Sequence, residues 1–243
     1  MTTLCSNPPM TDQKEAYYSD AEVVREYERR RFSRGGGRYV AEKEESTIRE
    51  LILQMKLPAG ASALDCPTGT GRFLPLLQQL GLTPTAVDIS PAMLALASQV
   101  SGVKTLRASA DTLPLAADSV QLWLMSRFAF HFADLRPFIR EAARVLAPGG
   151  YLLFDIYHWT PRSWIPGGQH FLGGRVHTHP LNLTRDWLKE AGLQLVEKRP
   201  VFLLAPYLYG FMAAALPPFL DKISDTLAPD WKTKSYLVAQ KAD

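Results

Sequence analysis

Leu64-Asp65-Cys66-Pro67-Thr68-Gly69-Thr70-Gly71 is the stretch from which the rest of the chain is read. The apolar run from Ala61 to Asp65 reads as a strand that empties into a turn carrying two glycines. Glycine lets a backbone turn sharply and come close to a ligand. In open α/β sheets ligands sit outside the carboxyl ends of the strands, so this turn marks a candidate site. A second short strand, Thr85 to Asp88, ends in another carboxylate about 20 residues on, where it can meet ribose hydroxyls.

Three details narrow the ligand. A nucleotide P-loop needs Gly-Lys-Ser/Thr, which is absent. A dinucleotide fingerprint wants a third glycine three residues after Gly71, where Leu74 stands. Asp65 would repel a pyrophosphate, whereas a ligand bearing an ammonium and a sulfonium, S-adenosylmethionine, would be drawn to it.

Outward from this stretch, strands and helices alternate. Gly71 to Leu80 reads as a helix, and Pro91 opens another at the position that favours proline. Strands follow at Val103 to Arg107 and Val120 to Met125, the latter apolar enough for burial on both faces. Ala133 to Leu146 is an amphipathic helix that Pro148-Gly149-Gly150 should stop, before a fifth strand from Tyr151 to Tyr157. A helix from Thr184 to Ala191, a strand from Leu193 to Lys198 and a closing strand from Ser235 to Gln240 complete the pattern. Upstream, helices are expected over Asp20 to Phe32 and Val40 to Met55, separated by Gly35-Gly36-Gly37 as a break. The expected fold is α/β: a Rossmann-like, doubly wound, mostly parallel sheet with helices on both faces. A helical cap is expected over 1–56 and the sheet domain over 57–243, with a lid or insert at 158–180 and an apolar insert at 201–230.

Four segments in order resemble the class I S-adenosylmethionine-dependent methyltransferases. Leu64 to Gly71 resembles their glycine-rich first motif, and Ala86-Val87-Asp88-Ile89-Ser90-Pro91-Ala92-Met93-Leu94 their second-strand motif. Asp111-Thr112-Leu113-Pro114-Leu115 resembles the segment before the fourth strand. Glu141-Ala142-Ala143-Arg144-Val145-Leu146-Ala147-Pro148-Gly149-Gly150 is similar to the signature before the fifth. Together they resemble the methyltransferase type 11 subfamily that includes quinone-biosynthesis enzymes. The resemblance implies that S-adenosyl-L-methionine is the cofactor, with Asp65, Pro67, Thr68, Gly69 and Gly71 holding its methionine portion. It implies Asp88 for the ribose, Ile89 and Met93 beside the adenine, and Ala110 and Asp111 at the adenine edge. Ser126 and Arg127 would lie beside the methionyl group. Two positions depart from the pattern: Pro67 replaces a glycine, and Ser109 stands where relatives carry an aspartate, with Asp111 as its substitute.

Methyl transfer from a sulfonium needs positioning above all, so little catalytic signature is expected. His131, after the fourth strand, is the candidate general base. Tyr157, His158 and Trp159, after the fifth, are candidate substrate contacts, and Arg38 is a candidate for the cofactor carboxylate. Trp159, Trp164 and Phe171, with several glycines nearby, suggest a lid. The charge-free stretch Val201 to Leu220 suggests a greasy acceptor pocket, with lipid or membrane-surface contact as a further expectation. Pro206, Gly210, Pro217 and Pro218 argue against reading that stretch as a membrane-spanning helix.

Composition is consistent with this. Hydrophobic residues at 47% and charged residues at 21% suit a soluble domain with a continuous core. A net charge of +3 gives no general case for nucleic acid. Locally, Arg25, Arg29, Arg30, Arg31, Arg34 and Arg38 are interleaved with Glu22, Glu26 and Glu28, as on a solvated helix. Cys5 and Cys66 make no disulfide framework or zinc pair, no metal is expected, and no secretory signal is visible. The expectation is a cytoplasmic enzyme, with membrane association as an addition, acting on a small apolar or aromatic acceptor. The alternatives are an RNA or protein methyltransferase using the arginine-rich helix, and a catalytically silent cofactor-binding module.

Overall fold

The structure is a computed structural model that describes residues 36–160, 176–210, 212, 215–227 and 231–242. The expected helix at Asp20–Phe32, with most of its arginines, and the centre of the expected lid, with Trp164 and Phe171, lie outside the described residues.

The chain opens with α1 (Gly36–Met55) and then alternates. β1 (Ser62–Asp65), α2 (Leu74–Gln79), β2 (Thr83–Asp88), α3 (Pro91–Ala97) and β3 (Lys104–Arg107) form the first half. β4 (Val120–Met125), α4 (Arg136–Val145), β5 (Leu146–Tyr157), α5 (Leu181–Glu190) and β6 (Leu193–Val201) follow. Two helices, α6 (Pro206–Tyr209) and α7 (Leu216–Leu227), precede β7 (Lys234–Lys241). Seven strands make one sheet in the order β3-β2-β1-β4-β5-β7-β6. All neighbours run parallel except β7, which is antiparallel to both β5 and β6. The expected mostly parallel, Rossmann-like sheet is therefore present. Chain order reverses between β1 and β4, the crevice position where such sheets bind ligands.

Alternation along the strands builds two cores. Leu122, Leu124, Leu153 and Tyr236 pack on one face with Val40, Ile48, Leu51 and Ile52 of α1. Trp123, Leu152, Phe154 and Leu237 pack on the other with Phe138, Ile139 and Ala142 of α4 and Leu188 of α5. Successive strand side chains point to opposite faces, which is why neighbours such as Trp123 and Leu124 serve different cores.

Three local expectations are corrected. Gly36 and Gly37 do not break the chain but begin α1. A Cβ on Gly36 would stand 1.9 Å from the Tyr209 carbonyl oxygen, so glycine here permits α1 to touch α6. Helix α2 begins at Leu74 rather than Gly71, because Gly71 is held at φ +84° in the left-handed region. Pro148-Gly149-Gly150 does not separate helix from strand: α4 ends at Val145, and β5 starts at once with Leu146 opposite Val120. A register shift between Val120 and Leu122 absorbs the extra residues. Gly36→Ala is expected to push α6 off α1 and cost about 2 kcal/mol of stability, as overpacking does. Unfolding in urea measures this, and a midpoint equal to the wild type would refute the contact.

Candidate active site

The turn after β1 is built around two buried carboxylates. Asp65 is 1% exposed and accepts a hydrogen bond from the Thr68 hydroxyl at 2.8 Å. The Thr68 N–H donates to the Val87 carbonyl at 2.8 Å, tying the turn to β2. Asp88, at the end of β2, accepts from the Gly69 N–H and from the Ser90 N–H, both at 2.9 Å. Gly69 has φ +56° and open space where a side chain would stand, which leaves the turn's backbone accessible. Gly71 does the opposite: a Cβ there would lie 2.9 Å from the Ala97 Cα, so it lets the turn pack on α3. Pro67 follows a cis peptide bond.

Burial dominates the electrostatics of the pair. It pushes the Asp65 carboxyl up to about 8; the Thr68 hydroxyl opposes the rise, Asp88 adds to it, and Arg72 moderates it. Burial also raises Asp88, against hydrogen bonds from Ser90, Gly69 and Ile89. A cation at Asp65 would relieve this cost, so the turn fits a ligand ammonium.

The other expected contacts surround this pair. Ile89 is 44% exposed at the rim, an apolar surface suited to a flat ring, and Met93 is buried beneath in α3. Ser90 caps α3 by accepting from the Met93 N–H at 3.3 Å. Ala110 is buried and Asp111 exposed, in a turn closed by a bridge between Ser109 and Thr112. Ser126 and Arg127 leave β4 on the opposite side. Arg127 sits at φ +60°, a conformation costing about 1 kcal/mol for a side chain with a Cβ, and its N–H donates to Asp155.

Beyond Arg127 the chain turns into an aromatic wall. Phe128, Phe132 and Phe138 have ring centroids 4.6 to 4.9 Å apart. Phe130 meets Tyr157 edge-on at 5.6 Å, and His131, in a 3₁₀ turn at Ala129–His131, lies with its ring 4.1 Å from Phe130. The N–H groups of His177 and His179 donate to the carbonyls of Phe130 and Tyr157, closing this side. Burial lowers His179 to about 4, so that ring is neutral. His158 turns to β7, where Nε2 lies 2.7 Å from the Ser235 hydroxyl, and Trp159 is half-buried beside it in sequence. No group of three His, Cys, Asp or Glu side chains suited to a metal occurs among the described residues. Nor is any helix there long and apolar enough to cross a membrane.

Sequence reasoning missed the buried charges beside this wall. Lys234, at the start of β7, is fully buried, with Nζ 2.8 Å from Glu44 Oε1 and 3.2 Å from Asp155 Oδ2. Glu44 Oε2 lies 3.0 Å from Arg72 Nη2 and 3.6 Å from Arg127 Nη1. Burial alone would raise Glu44, but Lys234, Arg127 and Arg72 outweigh it and hold the carboxyl well below its ordinary range. Asp155 and Glu44 likewise outweigh the effect of burial on Lys234 and keep it charged. The sequence did carry a signal. Glu44 falls on the stripe Val40, Thr47, Ile48, Leu51, and Asp155 interrupts the apolar run Leu152-Leu153-Phe154. Arg38, in contrast, points outward to Glu42 with its side chain 74% exposed, so α1 reaches the site through Glu44 instead.

With this geometry in place, residues 64–154 match the methyltransferase domain family. The malonyl-[acyl-carrier protein] O-methyltransferase of Pectobacterium atrosepticum is 33% identical over 127 residues, covering 51% of this chain and 50% of its own. The ubiquinone biosynthesis O-methyltransferase of Xanthomonas axonopodis pv. citri is 29% identical over 157 residues, covering 57% and 64%. The chain thus spans half to under two thirds of the length of these curated relatives. The geranyl diphosphate C-methyltransferase of Streptomyces coelicolor, solved with magnesium, geranyl diphosphate and S-adenosyl-L-homocysteine, shares the fold. Its TM-score is 0.60 at 17% identity, over 83% of this chain and 82% of that one. Over residues 64–154 the chain is thus similar to the methyltransferase domain family, and its sheet has the fold of S-adenosylmethionine-dependent methyltransferases.

Proposed function

We propose that the protein transfers the methyl group of S-adenosyl-L-methionine to a small acceptor with an apolar or aromatic body. What supports this reading is the buried Asp65–Asp88 pair at the carboxyl ends of β1 and β2, together with the aromatic residues Phe128, Phe130, Phe132 and Tyr157 that follow β4 and end β5, on either side of the point where chain order reverses. When bound, the cofactor supplies a methyl group already activated on a sulfonium.

The residues of the chain bind and orient. Asp65 takes the ligand ammonium, and the turn of Pro67, Thr68, Gly69 and Gly71 shapes the cradle around it. Asp88 has acceptor capacity left for ribose hydroxyls, since each carboxylate oxygen has more than one lone pair. Ile89 and Met93 pack against the adenine, with Ala110 and Asp111 at its edge. Ser126 and Arg127 border the methionyl end. Phe130 and Tyr157 exclude water and hold the acceptor in line with the methyl, where near-attack positioning supplies much of the rate. To His131, whose ring lies 4.1 Å from that of Phe130, we assign the removal of a proton from an acceptor hydroxyl. The two sequence relatives named above are O-methyltransferases, which favours an oxygen acceptor, whereas the structural neighbour is a C-methyltransferase.

Incubation with methyl-labelled S-adenosylmethionine and an extract of the source cells tests this. Label is expected in the organic fraction. Label confined to RNA or protein would overturn the acceptor reading and favour the arginine-rich segment at 25–38.

A further inference from the structure

Helix α7 lies on the protein with its polar side inward. Pro217, Asp221 and Ser224, spaced as one helix face, are buried. Asp221 accepts hydrogen bonds from the hydroxyls of Tyr39 in α1 and Tyr209 in α6, at 2.7 and 2.6 Å, and from the Leu203 N–H at 2.9 Å. The Ser224 hydroxyl accepts from the buried Lys232 ammonium, which also lies 2.8 Å from Asp225. The outward face carries Leu216, Phe219 and Ile223 at i, i+3 and i+7, and these are 43%, 59% and 40% exposed. Trp231, just past the helix, is 65% exposed. A surface helix ordinarily buries its apolar stripe and shows its polar one, and α7 does the reverse. The stripe cannot roll inward without taking Asp221 from three donors, a costly loss for a buried group.

We propose that α7 is the apolar half of a docking site for an anionic lipid surface, with Arg29, Arg30, Arg31 and Arg34 as its charged half. These four arginines fall within six residues that hold no carboxylate, and Arg34 stands two residues before Gly36. Gly36 lies at the foot of α7, since a Cβ on it would stand 3.2 Å from Pro217 Cγ. The basic run is therefore tethered beside the stripe. Lipid chains receive Leu216, Phe219 and Ile223, and Trp231 suits the boundary between chains and headgroups. Lys222, exposed on α7, adds a positive charge at the headgroups. An apolar anchor or a basic run alone binds lipid marginally, and the two together hold. A second copy of the chain fits this face less well. A two-fold interface sets one patch against itself, which would crowd two arginine runs together. The docking site goes beyond the proposed methyl transfer and does not rest on it.

Flotation of the full chain with vesicles tests this. One set is phosphatidylcholine alone, and the other is phosphatidylcholine and phosphatidylglycerol in equal parts. Wild type is expected to bind the anionic set about tenfold more tightly, and to leave it in high salt. Phe219→Ser combined with Ile223→Ser should lose about tenfold in affinity for the anionic set. Both residues are exposed, so this variant should still unfold at the wild-type urea midpoint. Arg30→Gln combined with Arg31→Gln should weaken binding by a similar factor. Leu53→Ser, at an exposed apolar residue of α1, should leave binding as it is. A wild type that binds neither set, or both alike, overturns the proposal. So does anionic binding that survives the change at Phe219 and Ile223, which leaves the arginines acting alone. A loss in Leu53→Ser as large as that in α7 overturns it too, because the effect is then not local. Sedimentation reports the remaining outcome: a dimer that Phe219→Ser turns into monomer, without vesicle binding, makes a second copy the occupant and overturns the lipid assignment.

Discussion

Asp65→Asn is expected to weaken S-adenosylhomocysteine binding by about 100-fold, because removing one partner of a buried charge pair costs a few kcal/mol. Stability of the free protein should move the other way. The Asp65 carboxyl is pushed up to about 8 in the folded chain by burial, against about 3.9 in an unfolded one. Between those values the native state holds a proton that the unfolded state has lost, so stability falls as pH rises through the window. The slope is at most about 1.4 kcal/mol per pH unit for one proton. Asparagine lacks this penalty, so at pH 8 the variant should unfold at higher urea than the wild type while binding the ligand worse. Binding should release a proton at pH 7, and affinity should rise with pH until Asp65 is fully ionised. Calorimetry in two buffers of different ionisation enthalpy measures the release. Proton uptake, or affinity flat between pH 6 and 8, would exclude the role of Asp65.

Lys234→Met should be the most damaging single change to folding. Methionine fills a similar volume but leaves Glu44 and Asp155 without the cation they share inside the protein. Breaking a buried ion pair from one side costs about 3–5 kcal/mol. The loss should be largely recovered in Lys234→Met with Asp155→Asn, since neutralising both partners removes the uncompensated charge. High salt should not rescue the single variant, because a buried pair is poorly screened. Urea unfolding at two ionic strengths checks each statement. A single variant as stable as wild type would mean that Arg72 and Arg127 alone balance the two carboxylates.

The parts of the chain that could be read in advance are those where local chemistry decides. Asp65, Gly69, Gly71 and Asp88 lie within one strand–turn–helix–strand unit, and the constraints on that unit are visible over a few residues. Pro91 and Ser90 mark the start of α3 for the same reason. The misread places depend on distant partners. Gly36 reads as a breaker until Tyr209 is seen against it. Gly149-Gly150 read as a terminator until β4 is seen to accommodate them with a bulge. The Glu44–Lys234 pair spans 190 positions, and no periodicity links its members. Each end left a trace, a carboxylate on an apolar stripe and a lysine at the start of an apolar strand. Only the topology shows that the two traces are one feature.

The place of β7 in the sheet bears on how a ribosome delivers this protein. Among the described residues, strand β6 has no neighbour except β7, and β7 is made after it. As the chain emerges, β5 therefore presents an unsatisfied edge along Tyr151-Leu152-Leu153-Phe154-Asp155-Ile156-Tyr157, while β6 waits with nothing to pair with. An apolar edge of that length is a template for stray pairing with other nascent chains. Slow translation through the codons for residues 158–233 should lower the soluble yield, and a chaperone that shields strand edges should restore it.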